Sequence, residues 1–208
     1  MFFSNIIGHK SQLEQIREDL FSENMSHAYL LAGPSDIGKY TIAKAMAKTL
    51  QTVGKLKKDI NNIAVQIEKE YHPDVLILRK GKESSNIKVE EMRPLLANLN
   101  LTGNSDFRIF LIEEIERLTA EAANAMLKIL EEPPRNVLFI FTSNKPDQIL
   151  ETILSRVRRI DFKKVPEYIA REGLKKRYYL EKAAALDQVI ALSGGRIGLA
   201  IRLLENTK

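Results

Sequence analysis

A loop that could bind phosphate spans residues 33–41, which read Gly-Pro-Ser-Asp-Ile-Gly-Lys-Tyr-Thr. This G-x-x-x-x-G-K pattern follows the apolar run 28–32 and precedes an amphipathic stretch. In a strand–loop–helix setting the glycines let backbone N–H groups face a phosphate, and Lys39 can reach the terminal phosphates. The sequence therefore predicts a nucleotide-binding loop formed by Gly33, Pro34, Ser35, Asp36, Ile37, Gly38, Lys39, Tyr40 and Thr41.

The residue after Lys39 is Tyr40, where such a loop normally carries a Ser or Thr whose hydroxyl binds Mg²⁺. A phenol oxygen about 6 Å from its own backbone cannot replace that short ligand, and Thr41 points roughly 100° further around the helix. We therefore expect binding of ATP or ADP with Mg²⁺ to be weak or absent, and hydrolysis to be weakened further.

An acidic strand end follows the apolar run 109–112, where the sequence continues Glu113-Glu114-Ile115-Glu116. Acids at the carboxyl end of a parallel strand lie near such a loop, where one can hold the metal shell and the next can polarise water. The usual pair is Asp-Glu, and Glu113 is one methylene longer than Asp. Glu114 is therefore a catalytic candidate, with a solvated strand end as the alternative.

The elements that must position these residues are visible as apolar runs without alternation. Such runs are typical of a parallel sheet that helices cover on both faces. Amphipathic segments lie between them, and Thr119 is a predicted helix N-cap. We predict an α/β fold with a five-stranded parallel sheet in an αβα sandwich, its strands at residues 28–32, 75–78, 109–112, 137–141 and, more weakly, 159–162.

The strand pattern ends near Pro166, and the remaining sequence predicts three helices. These span residues 166–179, 181–193 and a last stretch ending at Asn206. We therefore predict a nucleotide-binding domain over residues 1–164 and a small helical lid domain over residues 165–208, too small to be stable alone.

Composition excludes several classes of protein. The 208 residues include no cysteine, which excludes disulfides, zinc thiolates and cysteine catalysis. No apolar run approaches the ~18 residues of a membrane span, so a soluble, cytoplasmic protein is expected. The formal net charge is +5, and residues 151–208 hold 13 basic and 7 acidic residues. This basic end could meet phosphate or an acidic partner, or it could be a solvated helical surface.

Several segments together resemble the AAA+ subunits of bacterial DNA polymerase III clamp loaders, and among these the delta-prime type most. The resemblance runs from about Ile6 to Leu204 and implies an AAA+ module with a helical lid. Its most specific string is Leu-Lys-Ile-Leu-Glu-Glu-Pro-Pro at residues 127–134. The segments that carry it are residues 33–41, 71–74, 108–119, 122–134 and 153–157.

The resemblance also implies roles for residues outside the loop. Arg156, in Ser155-Arg156-Val157, matches the family's arginine finger, which acts in trans on ATP bound by a neighbouring subunit. A guanidinium suits this role because it is permanently charged and binds phosphate oxygens with two donors. Asn144 matches the sensor 1 position, which orients water. At the sensor 2 position, where an active motor subunit carries Arg, this chain has Ile197.

Two departures from the family are expected to matter. The stretch 52–70, where the family has a four-cysteine zinc module, contains no cysteine, so we expect no zinc. The chain ends at Lys208, before the position of the family's C-terminal collar domain, so a fragment or a short member without a collar is implied.

Three functions remain open at this point. The first is a clamp-loader stator with weak or no ATPase activity by itself, working with gamma/tau-type and delta-type subunits, and through them with the sliding clamp and primed DNA. The second is an active AAA+ ATPase of gamma/tau type, or another replication or repair ATPase. The third is a DNA-contacting module without chemistry, suggested by the basic C-terminal region and by Lys88 and Arg93.

Overall fold

The computed structural model of the chain describes residues 2–81, 85–99, 107–178 and 183–206. Within them, five parallel strands form one sheet in the order β2-β3-β4-β1-β5. The five predicted strands are confirmed, although β4 is two residues longer than expected, β3 begins one residue earlier, and β5 is shifted by one residue toward the N-terminus. Their bounds are β1 (Ala28–Ala32), β2 (Val75–Leu78), β3 (Arg108–Ile112), β4 (Val137–Ser143) and β5 (Arg158–Asp161).

Helices connect and follow the strands. Thr119 caps α5 as predicted, because its side chain accepts a hydrogen bond from the Ala122 N–H. The predicted ends at residues 179–182 lie outside the described residues. The helices are α1 (Lys10–Leu20), α2 (Lys39–Thr52), α3 (Lys57–Glu68), α4 (Val89–Leu99), α5 (Ala120–Glu131), α6 (Glu151–Leu154), α7 (Glu167–Tyr178), α8 (Ala183–Ser193) and α9 (Ile197–Asn206).

Strands β1, β3 and β4 are buried on both faces, which explains their almost uninterrupted apolar sequences. In the edge strand β5, Ile160 is buried and the other three residues are exposed. Tyr29 and Leu31 of β1 point to one face, where they share a core with Met46 of α2. Leu30 points to the other face, into a core that also holds Phe139. The αβα arrangement predicted from the sequence is confirmed.

The C-terminal helices α7, α8 and α9 share a small core of their own. Leu174, Leu186 and Leu204 are buried there. A separate buried contact joins Val165, just after β5, to Ile197 at the start of α9. This contact fixes the start of α9 beside the end of the sheet. Among the described residues, no helix has the length and apolar character needed to cross a membrane.

Residues 52–70, where the resembled family has its zinc module, contain α3. Ile67 buries its side chain in the core, and α3 packs along α2. Lys44 and Lys48 of α2 both donate to the Glu68 carboxylate, at 2.6 and 2.5 Å. An apolar contact and paired charges therefore hold α3 in place.

Candidate phosphate-binding site

The carboxyl ends of β1, β3 and β4 meet at one edge of the sheet and form the candidate site. The parallel register places Ala32 beside Ser143, so the loop after β1 starts next to the end of β4. The Gly33 N–H donates to the Ser143 carbonyl at 3.1 Å, which continues this pairing into the loop. A cavity of about 240 Å³ opens here between the loop, the strand ends and α9.

The loop backbone needs glycine at its first position. Gly33 has φ +148°, and a Cβ added there would lie 2.2 Å from the Phe162 carbonyl oxygen. Asp36 is also left-handed, at φ +62°. The loop leads directly into α2, a helix of 14 residues whose first N–H groups point back toward the cavity. The local geometry suits a bound anion.

Lys39 is deeply placed, with 6% of its surface exposed. Its ammonium donates to the Gly33 carbonyl at 2.8 Å, the Pro34 carbonyl at 2.6 Å and the Asn144 Oδ1 at 2.8 Å. Burial lowers the pKa of Lys39 to about 8, against the opposing effect of nearby Glu116. The three ammonium donors are used by two loop carbonyls and by Asn144, so a phosphate would have to replace some of these acceptors.

Asn144 connects the lysine to the acidic strand end. Its amide Nδ2 donates to Glu114, and its backbone N–H donates to the Glu116 carboxylate at 2.8 Å. Glu114 also pairs with Arg117, and its own N–H donates to the Thr142 hydroxyl at 3.1 Å. The predicted acid and the predicted sensor residue are therefore in contact, although partners within the chain occupy both.

Glu113, the other acid of the pair, lines the cavity. Burial raises the pKa of this carboxyl, with nearby Glu114 acting in the same direction. Glu113 of the predicted acid pair therefore faces the candidate site from a partly buried position.

The Tyr40 hydroxyl is committed to another partner. It donates to the Glu70 carboxylate at 2.8 Å, and the same carboxylate pairs with Arg79. The Lys44 ammonium lies 5.0 Å from the centre of the Tyr40 ring. Burial and the bond to Glu70 raise the pKa of the phenol, so it stays neutral and donates. The residues of the loop therefore suit a phosphate but do not supply the short hydroxyl ligand that Mg²⁺ usually receives there.

Of the other predicted loop residues, Ile37 is buried in the core and Thr41 faces the cavity. Ile37 is 1% exposed and its side chain packs in the core, so only its backbone can serve the site. The Ile37 carbonyl oxygen lies 3.2 Å from the His9 Nε2. Thr41, by contrast, is exposed on α2 and lines the cavity.

Sequence reasoning pointed to Ile197 in α9 but missed Gly198 and Arg202 of the same helix. The Arg202 Nη1 donates to the Asp36 Oδ1 at 2.8 Å, and the Gly198 N–H donates to the Asp36 carbonyl at 2.6 Å. The four-residue spacing of Gly198 and Arg202 puts both on one helix face, which is the signal that could have revealed them. Ile197, which the family resemblance places at the sensor 2 position, is buried. The Nε of the neighbouring Arg196 donates to the Ser193 carbonyl at 3.1 Å.

Arg156 lies at the surface and outside the phosphate cavity. Its Nη2 donates to the Glu131 carboxylate at 2.9 Å, and its Nη1 donates to the Thr152 carbonyl at 2.8 Å. The Arg156 side chain keeps 34% of its area exposed. The contact with Glu131 brings together two separate segments that carried the family resemblance.

The strand order and the glycine–lysine loop after β1 define a P-loop nucleoside triphosphatase fold of the AAA+ class. The chain belongs to the family described as DNA polymerase III, delta subunit, whose model matches residues 8–166.

Relatives of this chain carry several subunit names. The DNA polymerase III subunit gamma of Buchnera aphidicola subsp. Acyrthosiphon pisum is 34% identical over 99% of the chain and 58% of that subunit. The subunit delta' of Pseudomonas aeruginosa is 32% identical over 86% of the chain and 56% of that subunit. The subunit tau of Escherichia coli is 30% identical over 77% of the chain and 25% of that subunit. The chain thus spans at most 58% of the length of these three relatives.

Two solved structures share the fold. A gamma subunit-related protein from Thermotoga maritima has a TM-score of 0.57 and 21% identity, covering 93% of this chain and 71% of that one. The RuvB Holliday junction branch migration motor of the same organism has a TM-score of 0.63 and 18% identity, covering 94% and 60%.

Proposed function

We propose that the chain works as a delta-prime-like stator in a DNA polymerase III clamp loader. In this proposal it helps to load the sliding clamp onto primed DNA together with gamma/tau-type and delta-type subunits. It binds ATP or ADP weakly, needs no zinc, and donates Arg156 to ATP held by a neighbour. Residues 1–164 and 165–208 act as its two domains. The names of its relatives support a clamp-loader role.

The observation that carries the stator role is the bond from Tyr40 to Glu70. It commits the Tyr40 hydroxyl, at the position where such loops carry the Ser or Thr that binds Mg²⁺, to a partner outside the loop. The bonds of Glu114 to Arg117 and Asn144 occupy the acid that would polarise water. A site of this kind can hold phosphate oxygens, but it has no Ser or Thr directly after the loop lysine and its acid is already paired, so we expect hydrolysis to be slow.

The surroundings of Arg156 support its role as a donated residue. The Glu131 carboxylate that it contacts is about half exposed, so water screens the pair. Exposed pairs of this kind contribute only about 0–1 kcal/mol, so a phosphate with more charge can displace Glu131 at little cost. Arg156 is therefore held near the surface without being locked there.

The second candidate is an active ATPase of gamma/tau type. It is favoured by the contact of Lys39 with Asn144, which places two groups of an active site side by side. Relatives named gamma and tau also favour it.

Steady-state ATP turnover by the purified chain distinguishes the two candidates. With Mg²⁺ and primed DNA present, we expect turnover far below the ~1 s⁻¹ lower end typical of enzymes. In an assembly reconstituted with gamma/tau-type and delta-type subunits, omission of this chain should abolish clamp loading. Turnover by the chain alone at the rate of a gamma subunit would reject the stator and support the motor. Normal loading without the chain would reject the clamp-loader role.

We expect the affinity of the chain for ATP to fall about tenfold between pH 7 and pH 9. Lys39, with a pKa of about 8, loses its charge over this range and can no longer neutralise phosphate oxygens. Titration with a fluorescent ATP analogue measures the effect. Lys39→Arg keeps its charge over the whole range and should flatten the profile. Identical profiles for both proteins would show that Lys39 does not set the pH dependence.

A further inference from the structure

The phosphate cavity already contains an ion pair between its loop and its lid. Asp36 belongs to the loop, and Arg202 belongs to α9, 166 residues later in the chain. Both side chains line the cavity. The Arg202 Nη1 donates to the Asp36 Oδ1 at 2.8 Å, a distance typical of a charge-assisted hydrogen bond.

We propose that the Asp36 carboxylate stands in for a phosphate group, and that an entering polyphosphate displaces it from Arg202. In the structure the guanidinium binds Asp36. When the polyphosphate of ATP enters, the guanidinium exchanges this carboxylate for phosphate oxygens. Arg202 is then a phosphate-binding residue of the lid, and Asp36 is its internal competitor. This inference rests on the proposed binding of nucleotide by the loop.

The chemistry of the pair favours such an exchange. A guanidinium presents planar, paired donors that fit carboxylate and phosphate oxygens equally well in shape. Phosphate carries more negative charge than a single carboxylate, so it is the stronger partner. Arg202 is 56% exposed at its side chain, so it can turn without opening the core.

The surroundings keep Asp36 ionised and in place. The hydrogen bond from Arg202 holds the pKa of this carboxyl below its usual value, with nearby Arg196 and Lys39 acting in the same direction. The Asp36 backbone is fixed independently, because the Gly198 N–H donates to its carbonyl at 2.6 Å. Release of the carboxylate therefore leaves the backbone contact between α9 and the loop intact.

Gly198 allows α9 to approach the loop this closely. A Cβ added to Gly198 would lie 2.9 Å from the Asp36 carbonyl oxygen. Only glycine lets the helix backbone and the loop backbone meet at this point, which brings Arg202, one turn further along α9, over the cavity.

The test is a double-mutant cycle on binding by the 208-residue chain at pH 7. The probes are ATP and inorganic tripolyphosphate, each titrated with and without Mg²⁺. The variants are Asp36→Asn, Arg202→Gln and the pair together. Asn is the suitable replacement at position 36 because it tolerates the left-handed backbone that Asp36 adopts. Arg171→Gln is the matched control, since it removes one arginine of the lid that lies outside the cavity lining and pairs with Glu167 and Asp187.

We expect Asp36→Asn to tighten binding of both probes about three- to tenfold, and Arg202→Gln to weaken it by a similar factor. The gain from Asp36→Asn should disappear in the Arg202→Gln background, because no guanidinium is left to release. Arg171→Gln should change affinity less than twofold, and thermal unfolding should show that all variants are folded. Arg202→Lys, which keeps the charge but not the paired donors, should fall between wild type and Arg202→Gln.

Three results would overturn the inference. The first is an undiminished gain from Asp36→Asn in the Arg202→Gln background, which would make Asp36 a merely repulsive charge. The second is unchanged affinity in folded Arg202→Gln. The third is no measurable binding of either probe by wild type or Asp36→Asn. None of these results bears on clamp loading by the reconstituted assembly, so failure here and failure of the stator role are separate outcomes.

Discussion

Replacement of Arg156 by alanine is expected to lower ATP turnover by the reconstituted clamp loader about 10³-fold at the site that this chain completes. A donated arginine stabilises the charge that spreads over the transferred phosphoryl group, and its loss in related phosphoryl-transfer proteins removes about 10³–10⁵ in rate. Assembly should be unaffected, because the hydrogen bonds of the Arg156 side chain to Thr152, Ser155 and Glu131 all lie near the surface of its own chain.

Single-turnover hydrolysis of prebound ATP is the appropriate measurement, since other ATP sites in the assembly would mask a steady-state change. Arg159→Ala is the matched control: this arginine is also exposed, lies three residues later and pairs with Asp161. It should leave the rate within about twofold of wild type.

Glu131→Gln provides a second test of Arg156 as an arginine finger. It removes the carboxylate that binds Arg156 in the structure and leaves the arginine in place. The rate should be equal to or a few-fold above that of wild type. An unchanged rate for Arg156→Ala in an intact assembly would reject the arginine finger. So would equal losses for Arg156→Ala and Arg159→Ala.

The sheet could be predicted closely because its signal is local. Strands β1 to β4 are largely continuous apolar runs, and burial on both faces is the physical reason for that pattern. The edge strand β5 buries only Ile160 of its four residues, so its signal in the sequence is weaker. β1 and β2 have the predicted bounds, and β4 differs only because it continues through the polar pair Thr142 and Ser143. Thr142 and Ser143 are buried next to the candidate site. Because both are polar, a search for apolar runs ends the predicted strand before them.

The site could be predicted only in part. The loop residues are contiguous, so their pattern names them directly, and the strand order explains why Asn144 meets Lys39. The partners of the side chains lie far away in the sequence: Tyr40 bonds to Glu70, and Asp36 bonds to Arg202. Such pairs depend on how helices pack over the sheet, and neither composition nor periodicity records that packing. The sequence could indicate that Tyr40 fails as a metal ligand, but it could not show where its hydroxyl points.

Gly33→Ala is expected to destabilise the fold by about 2–5 kcal/mol, because two separate costs act at this position. The backbone of residue 33 is held at φ +148°, a conformation that residues other than glycine rarely adopt. The added methyl would also lie 2.2 Å from the Phe162 carbonyl oxygen. This carbonyl is backbone and cannot rotate away like a flexible side chain. The Phe162 N–H donates to Ala32 at 2.7 Å, so a shift of residue 162 would strain the join between β5 and β1.

Gly38→Ala separates the two costs at Gly33. Gly38 has φ +100°, but a Cβ there would meet nothing within 4 Å, so only backbone strain of about 1–2 kcal/mol remains. Thermal unfolding should show a fall of roughly 5–15 °C in Tm for Gly33→Ala and a clearly smaller fall for Gly38→Ala. Equal losses in the two variants would mean that the approach of Phe162 does not limit residue 33. In that case the loop is held by its own backbone conformation, and β5 does not determine where the phosphate cavity begins.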